Sequence, residues 1–332
     1  MQLLTLTVLS RHEEGRWNAT TLESLPDKIN VDTMLWIDAQ DLSPEEILLL
    51  KERFGLTDEL NLEELVKEGW RSKIEEHQDI ISCYTIFPNQ DDFISGAKTN
   101  WLAFVVGKRW IITIHKGYSD ITCTVYRKIS THGYFALPLL PSTDIFLFIF
   151  LDLITNEFFL VSDLVHVRLQ NLGKEAGRLF REKSKQITTN FGEEIAKSRD
   201  QALALRQSIG PLREIVGRVT RGEFALVSSE ILPRFENLYD RTISLIDVVD
   251  SSRDQIHEIG DILINAQTLT TNNIIRLLTI VSAIFLPLTL IAAICGTNFF
   301  ASGITIGFYI MIAVMVGIAV GLISIFRNKG WL

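Results

Sequence analysis

Between Arg276 and Arg327 the sequence contains no aspartate, glutamate, lysine or arginine. That absence argues against an ordinary soluble helix pair, because a helix facing water keeps charge on its exposed side. A helix needs about 20 mainly apolar residues to cross about 30 Å of hydrocarbon, so the run has room for two crossings and a tight turn. The first crossing reads as residues 277–295, the second as 304–326, and residues 296–303 as the external turn, with Gly296, Thr297, Asn298 and Ala301 to Gly303 as the break. Cysteine is scarce too. Cys83, Cys123 and Cys295 stand without a CxxC or paired spacing, which argues against a disulfide framework and a thiolate zinc site. None of the six histidines pairs with another at i, i+3 or i, i+4, so they read as surface or core side chains. A net charge of −8 argues against a nucleic-acid partner. Residues 1–10 lack a basic leader and a small-residue cleavage site, and they read as a strand. No nucleophile–base pair, phosphate loop or clustered metal-ligand motif stands out, so no enzyme and no prosthetic group is expected.

What is present falls into an α+β chain. Residues 1–130 alternate strands and helices. Met34 to Asp38 is a short apolar strand, and Ser43-Pro44-Glu45-Glu46 is a capping box with proline at the first helical position, opening a helix to about Phe54. Thr57 is expected to cap a second helix through Lys67. Ile80 to Phe87, Trp101 to Val106 and Trp110 to His115 are β-branched and aromatic runs, the last two joined by Gly107-Lys108-Arg109 as a hairpin turn. Residues 131–228 turn helical. The segment from Asp144 to about Asn171 is nearly membranous in Phe146 to Leu151, yet Asp144, Asp152, Glu157 and Asp163 interrupt it, so it reads as a core helix. Another helix is expected over Glu193 to Arg218, interrupted or bent near Gly210-Pro211.

Residues 229–276 carry a stalk. Ile231, Phe235, Leu238, Thr242, Leu245, Val249, Ser252, Ile256, Ile259 and Leu263 alternate spacings of four and three, the seam of a helix packed lengthwise. Nothing forces a stop before Gly296, and a helix from Ser229 to Cys295 would run about 100 Å. Farther along, Asn272, Thr279, Ser282, Leu286, Thr289 and Ala293 share one face. Polar side chains at membrane depth point into a bundle or a wet cavity, so this face lines a pore or packs against another helix. Two helices cannot enclose a pore, and conduction requires several copies. Pro287 should bend this helix, with Thr289 or a neighbouring hydroxyl satisfying the freed carbonyl. The second span carries Gly317 and Gly321 four apart, a close-packing pattern suited to an outer ring. Arg276, Arg327 and Lys329 flank the hairpin while its turn has no basic residue, so both termini, including the basic tail 327–332, are expected in the cytoplasm.

These residues resemble the CorA family of divalent-cation transporters, which includes a zinc-transporting ZntB branch. Leu278-Thr279-Ile280, Ile284-Phe285-Leu286-Pro287-Leu288-Thr289 and Ile291-Ala292-Ala293-Ile294 resemble the family's first membrane helix. Gly296-Thr297-Asn298 stands where the family has Gly-Met-Asn. Leu35-Trp36-Ile37-Asp38, the capping box, Arg71-Ser72-Lys73-Ile74-Glu75-Glu76 and Pro211-Leu212-Arg213-Glu214 resemble further landmarks in order. The resemblance implies a homopentamer of the inner or plasma membrane, with a funnel-shaped cytoplasmic α/β domain, very long stalk helices and a C-terminal two-helix transmembrane hairpin. It implies a selectivity entrance at Gly296, Thr297 and Asn298, and a pore lined by Thr289, Leu286, Leu278, Ile275 and Asn272, to which the shared face adds Ser282 and Ala293. The expected cargo is a hydrated divalent cation, Mg²⁺ ahead of Zn²⁺, Co²⁺ or Ni²⁺, moved passively or with protons. Thr297 replaces the signature methionine, Cys295 replaces an aromatic residue, and the external turn has no acid. Glu64 resembles a position used for intracellular metal sensing, and its stalk partner is Asn237, flanked by Glu236 and Asp240. A membrane-anchored scaffold that does not conduct is the reading from another class.

Overall fold

A computed structural model of the chain describes residues 6–11, 17–20, 34–57, 60, 62–66, 71–96, 98–132, 142–181, 189–299 and 305–331. The described residues fall into two compact units. The first takes in residues 1–173 and 189–257, and the second residues 174–188 and 258–332.

The first unit is built on one seven-stranded mixed sheet. Its strands are β1 (Leu6–Arg11), β2 (Trp17–Thr20), β3 (Met34–Gln40), β4 (Lys73–His77), β5 (Ile80–Pro88), β6 (Thr99–Val106) and β7 (Trp110–His115), in the order β2-β1-β3-β7-β6-β5-β4. Every neighbouring pair is antiparallel except β3 and β7, which run parallel with Leu35 opposite Trp110 and Gln40 opposite His115. Side chains alternate between faces along a strand. One face therefore gathers Leu35, Ile37, Ala39, Ala103, Val105, Ile112 and Ile114. They are buried together with Ile47, Leu50, Leu62 and Leu65 from two helices, α1 (Pro44–Phe54) and α2 (Leu62–Leu65).

Local chemistry explains α1. Ser43 accepts from the Glu46 amide at 3.3 Å while the Glu46 carboxylate accepts from the Ser43 amide at 2.9 Å, satisfying donors that a helix start leaves open. Gly55 ends the helix in the left-handed region at φ 61°, which a side chain resists. The helix expected from Thr57 through Lys67 is described only in part. A single turn, with the Leu60 amide on the Thr57 carbonyl at 3.0 Å, precedes α2, and Lys67 lies outside the described residues. The β6–β7 hairpin forms at the expected turn, where Gly107 leaves room for the Trp110 indole, which a Cβ would meet at 2.4 Å.

The opposite face is aromatic and is covered by α5 (Thr143–Arg181). Trp36 meets Phe150 edge-on at 5.8 Å, and Phe104 meets the same ring at 5.2 Å. The apolar stretch of α5 is long enough to cross a membrane, yet 56 % of it is buried inside the chain; it is a core helix. The smaller helices are α3 (Gln90–Gly96) and α4 (Asp120–His132). Helix α6 (Thr189–Thr220) runs through Gly210-Pro211 without interruption.

Helix α7 (Leu232–Phe299) is one helix of 68 residues. Its seam is buried from Ile231 through Phe235, Leu238, Thr242, Leu245, Val249, Ser252, Ile256 and Ile259. Arg206 of α6 meets Asp250 of α7 at 3.1 Å, and Arg241 of α7 binds Asp152 and Asn156 of α5. The buried Asp144 at the start of α5 accepts from the amide and hydroxyl of Ser228, at 2.9 and 2.7 Å, just before α7 begins.

In the second unit the apolar character of the chain persists while the packing does not. Only 6 % of the most apolar stretch of α7, and none of that of α8 (Thr305–Asn328), is buried within the chain. Both helices are long and apolar enough to cross a membrane. The backbone of Gly296-Thr297-Asn298 stays helical to Phe299, so the helix does not break at Gly296 to Asn298 as expected; the rest of the expected break, Ala301 to Gly303, lies outside the described residues.

Candidate pore helix and its relatives

The site expected from sequence is the exposed stripe of α7. Asn272, Ile275, Leu278, Thr279, Ser282, Leu286, Thr289 and Ala293 are all exposed within the chain. Leu278, Thr279, Ser282 and Leu286, with Ala283 and Pro287, line one open groove of about 430 Å³ on this helix. The helical period brings together residues four and three apart, which is why these positions share one groove. The side chains of Gly296, Thr297 and Asn298 lie outside the described residues.

The hydroxyls of this face are engaged in a specific way. Thr279 donates to the Ile275 carbonyl at 2.8 Å and Thr289 to the Phe285 carbonyl at 2.8 Å. A threonine oxygen that has given its proton to its own helix keeps its acceptor lone pairs, and each such oxygen can receive a hydrogen from water. The Thr289 bond does not serve the purpose expected for it. Pro287 has no amide to give the Ala283 carbonyl, and Thr289 bonds Phe285 instead.

The residues expected from the resemblance to sense metal, at a site between subunits, lie on two different helices of the chain. Glu64 is half-buried on α2, while Glu236 and Asp240 are exposed near the start of α7. Asn237 donates to the Pro233 carbonyl at 3.0 Å. Among the described residues no three His, Cys, Asp or Glu side chains converge to hold a metal ion.

Sequence reading missed a polar cluster on the α5 face of the sheet. The parallel pairing of β3 and β7 sets Asp38 opposite Thr113 and Gln40 opposite His115. Trp36 donates its indole N–H to Thr113 at 3.1 Å, and Thr113 donates to Asp38. His115 Nε2 lies 3.3 Å from Asp38 Oδ1, and its Nδ1 lies 2.8 Å from the Gly117 carbonyl. Burial works to lower the His115 pKa, but Asp38, the Gly117 carbonyl and the charge of Asp41 outweigh it and hold the imidazole above its ordinary value. The Cys83 thiol is pushed up by burial alone, so it is inert as a nucleophile. The sequence signal for the cluster was slight: polar Asp38, Thr113 and His115 at alternate places in otherwise apolar strands.

Comparison with known proteins agrees with the fold. A family model described as CorA-like Mg2+ transporter protein matches residues 31–328. The cobalt/magnesium transport protein CorA of Thermotoga maritima is 23% identical over 326 residues, spanning 97% of this chain and 90% of that protein. The solved structure of the complete CorA magnesium transporter from Methanocaldococcus jannaschii superposes with a TM-score of 0.84 at 21% identity, covering 100% of both chains. The cytoplasmic domain of ZntB from Vibrio parahaemolyticus superposes with a TM-score of 0.63 at 10% identity, covering 80% of this chain and 100% of that one. With a matching family model over most of its length, a mixed α/β unit, a single helix running from the core to an exposed apolar end, and a further apolar helix after it, the chain belongs to the CorA-like Mg2+ transporter family.

Proposed function

We propose that the chain is a divalent-cation channel of the inner or plasma membrane, moving hydrated Mg²⁺ through a homopentameric pore lined by α7. The observation that carries this reading is the α7 stripe. It is apolar enough for a membrane, bare within the chain, and grooved where hydroxyls alternate with leucines. Five copies of that stripe around an axis would face one another across a water-filled path.

The chemistry suits an ion that keeps its water. Mg²⁺ dehydrates reluctantly and holds several waters in most protein sites. Carboxamide and hydroxyl oxygens at Asn272, Thr279, Ser282, Thr289 and Asn298 would accept hydrogen bonds from those waters, with Gly296 and Thr297 completing the outer entrance. Ile275, Leu278 and Leu286 would form an apolar constriction that closes by dewetting. Arg276, Arg327 and Lys329 favour cytoplasmic termini. α8 would face lipid around the pore.

Zn²⁺ is the competing cargo, favoured by Thr297 in place of the signature methionine. Purified protein in liposomes, loaded with a pH dye and offered Mg²⁺ or Zn²⁺, tests both. Mg²⁺ flux that Asn298→Ala abolishes or deregulates is the expected result. Zn²⁺ flux alone, accompanied by acidification, would reassign the cargo. No divalent flux above empty liposomes would leave a membrane scaffold as the function.

A further inference from the structure

His115 is a buried titratable group that the transport reading does not use. It ends β7, is 4 % exposed, and turns both ring nitrogens toward acceptors. Nδ1 lies 2.8 Å from the Gly117 carbonyl. Nε2 lies 3.3 Å from Asp38 Oδ1, at ion-pair distance without an aligned hydrogen bond. A neutral imidazole carries one N–H and one lone pair, so it satisfies only one of these two oxygens. The surroundings are those of the charged ring. Burial works against the charge, but Asp38, the Gly117 carbonyl and Asp41 outweigh it.

Asp38 links the ring to helix packing. Its Oδ1 also accepts from the Thr113 hydroxyl, and Thr113 in turn accepts from the Trp36 indole at 3.1 Å. Trp36 supports α5, meeting Phe150 at 5.8 Å and Phe146 at 6.2 Å. Helix α5 then holds α7, through Phe148 against Phe235 and through Asp152 and Asn156 on Arg241. Direct contacts therefore run from one imidazole to the layer between the sheet and the long helix.

We propose that His115 and Asp38 form a proton-operated latch, closed by the charged imidazole and released when it loses its proton, that sets how firmly α5 sits on the sheet. Deprotonation leaves the remaining N–H at the shorter contact, on Gly117, and turns a bare Nε2 lone pair toward the Asp38 carboxylate. Attraction becomes repulsion. The Asp38 side chain is 23 % exposed and can turn toward water. The Thr113 hydroxyl is then left with the more distant Ile37 carbonyl at 3.4 Å, and the support under Trp36 is disturbed.

Protons have a route to the ring. His115 lines a cavity of about 470 Å³ together with Ser119, Asp120 and Ile121 at the start of α4 and Glu157 of α5. The charged groups around the ring are therefore Asp38 and Asp41 from β3 and its end, Asp120 from α4 and Glu157 from α5. Lys98 and Lys116 are exposed at the cavity rim, and Tyr118 beside them titrates far above the histidine range. Glu157 is raised by burial and then by Asp120, so its titration has to be separated from that of His115. All these residues belong to the first unit, and the latch does not depend on the identity of the transported ion.

The test is hydrogen exchange on the purified full-length protein, read by mass spectrometry between about pH 5 and 9, the range that brackets an ordinary histidine. Amide rates are corrected for their intrinsic pH dependence. Protection of α5 amides should fall as pH rises, about ten-fold for each unit by which the folded His115 pKa exceeds its ordinary value. Exchange at the His115 ring carbon, followed in the same samples, gives that folded pKa without any substitution, and the fall in α5 should level off above it. His115→Gln should abolish the pH dependence and Glu157→Gln should keep it. Thr113→Val, which cuts the path from Asp38 to Trp36, should leave the ring titrating but remove the dependence from α5. The latch is overturned if α5 protection does not change with pH, or if its fall ends away from the ring pKa. It is equally overturned if the dependence survives His115→Gln or Thr113→Val, or disappears in Glu157→Gln.

Discussion

Truncating Phe235 to alanine should destabilise the first unit by about 3–5 kcal/mol, the usual cost of removing a buried phenylalanine. The side chain is 0 % exposed and meets Phe148 edge-on at 5.4 Å with planes at 82°, a geometry that contributes on the order of 1 kcal/mol within that sum. For a unit of this size the loss corresponds to a fall in unfolding temperature on the order of 10 °C. Leu286 sits farther along the same helix and is 71 % exposed within the chain. Leu286→Ala should therefore leave the unfolding of this unit within about 0.5 kcal/mol of wild type. Tryptophan fluorescence reads the transition, since every tryptophan except Trp331 belongs to the first unit and Trp36 is buried against Phe150. Where unfolding is irreversible, unfolding rates at one temperature replace midpoints. Equal losses from the two truncations, or no loss from Phe235→Ala, would refute the view that α7 changes from core helix to exposed helix along its length.

Asp144→Ala should cost about 2–4 kcal/mol, because it strips the Ser228 amide and hydroxyl of a buried charged acceptor; a double-mutant cycle with Ser228→Ala measures the coupling. Gly107→Ala should cost about 1–3 kcal/mol by driving a methyl into the Trp110 indole, read as a lower urea midpoint. The raised His115 pKa fixes the sign of a pH effect. Its contribution is fully present below about pH 6.5, the ordinary histidine value, and is lost as pH rises through the folded value. Asp38→Asn should flatten that slope in urea midpoints measured across the range.

The parts of the fold legible in the sequence were those written in local patterns. The capping box at Ser43 and Glu46 and the seam from Ile231 to Ile259 each need only a few neighbouring residues, and each formed where expected. Charge spacing was equally informative in α5, where Asp144 and Asp152 marked a core helix despite its apolar run, and both acids hold partners in other segments. Features created by distant pairing were not legible. The cluster of Asp38, Thr113 and His115 exists because β3 and β7 pair in parallel, with Asp38 and Thr113 75 positions apart in the chain, and no local period announces that. β4 was missed because Lys73, Glu75, Glu76 and His77 resemble a solvated loop, yet its pairing with β5 needs only main-chain bonds. On the exposed stripe of α7 the sequence supplied the face, but not that Thr279 and Thr289 turn their protons inward to their own helix.

We propose that one helix, α7, serves as core in its first half and as pore wall in its second. A single measurement tests it most directly: divalent-cation flux in liposomes through cysteine variants of α7 made in a background lacking Cys295, before and after a charged thiol reagent. Ser282→Cys lies in the groove and should lose its flux on modification, whereas Phe285→Cys, exposed but outside the groove, should keep it. Flux that survives modification at residue 282, or that is blocked equally from both positions, would contradict the account.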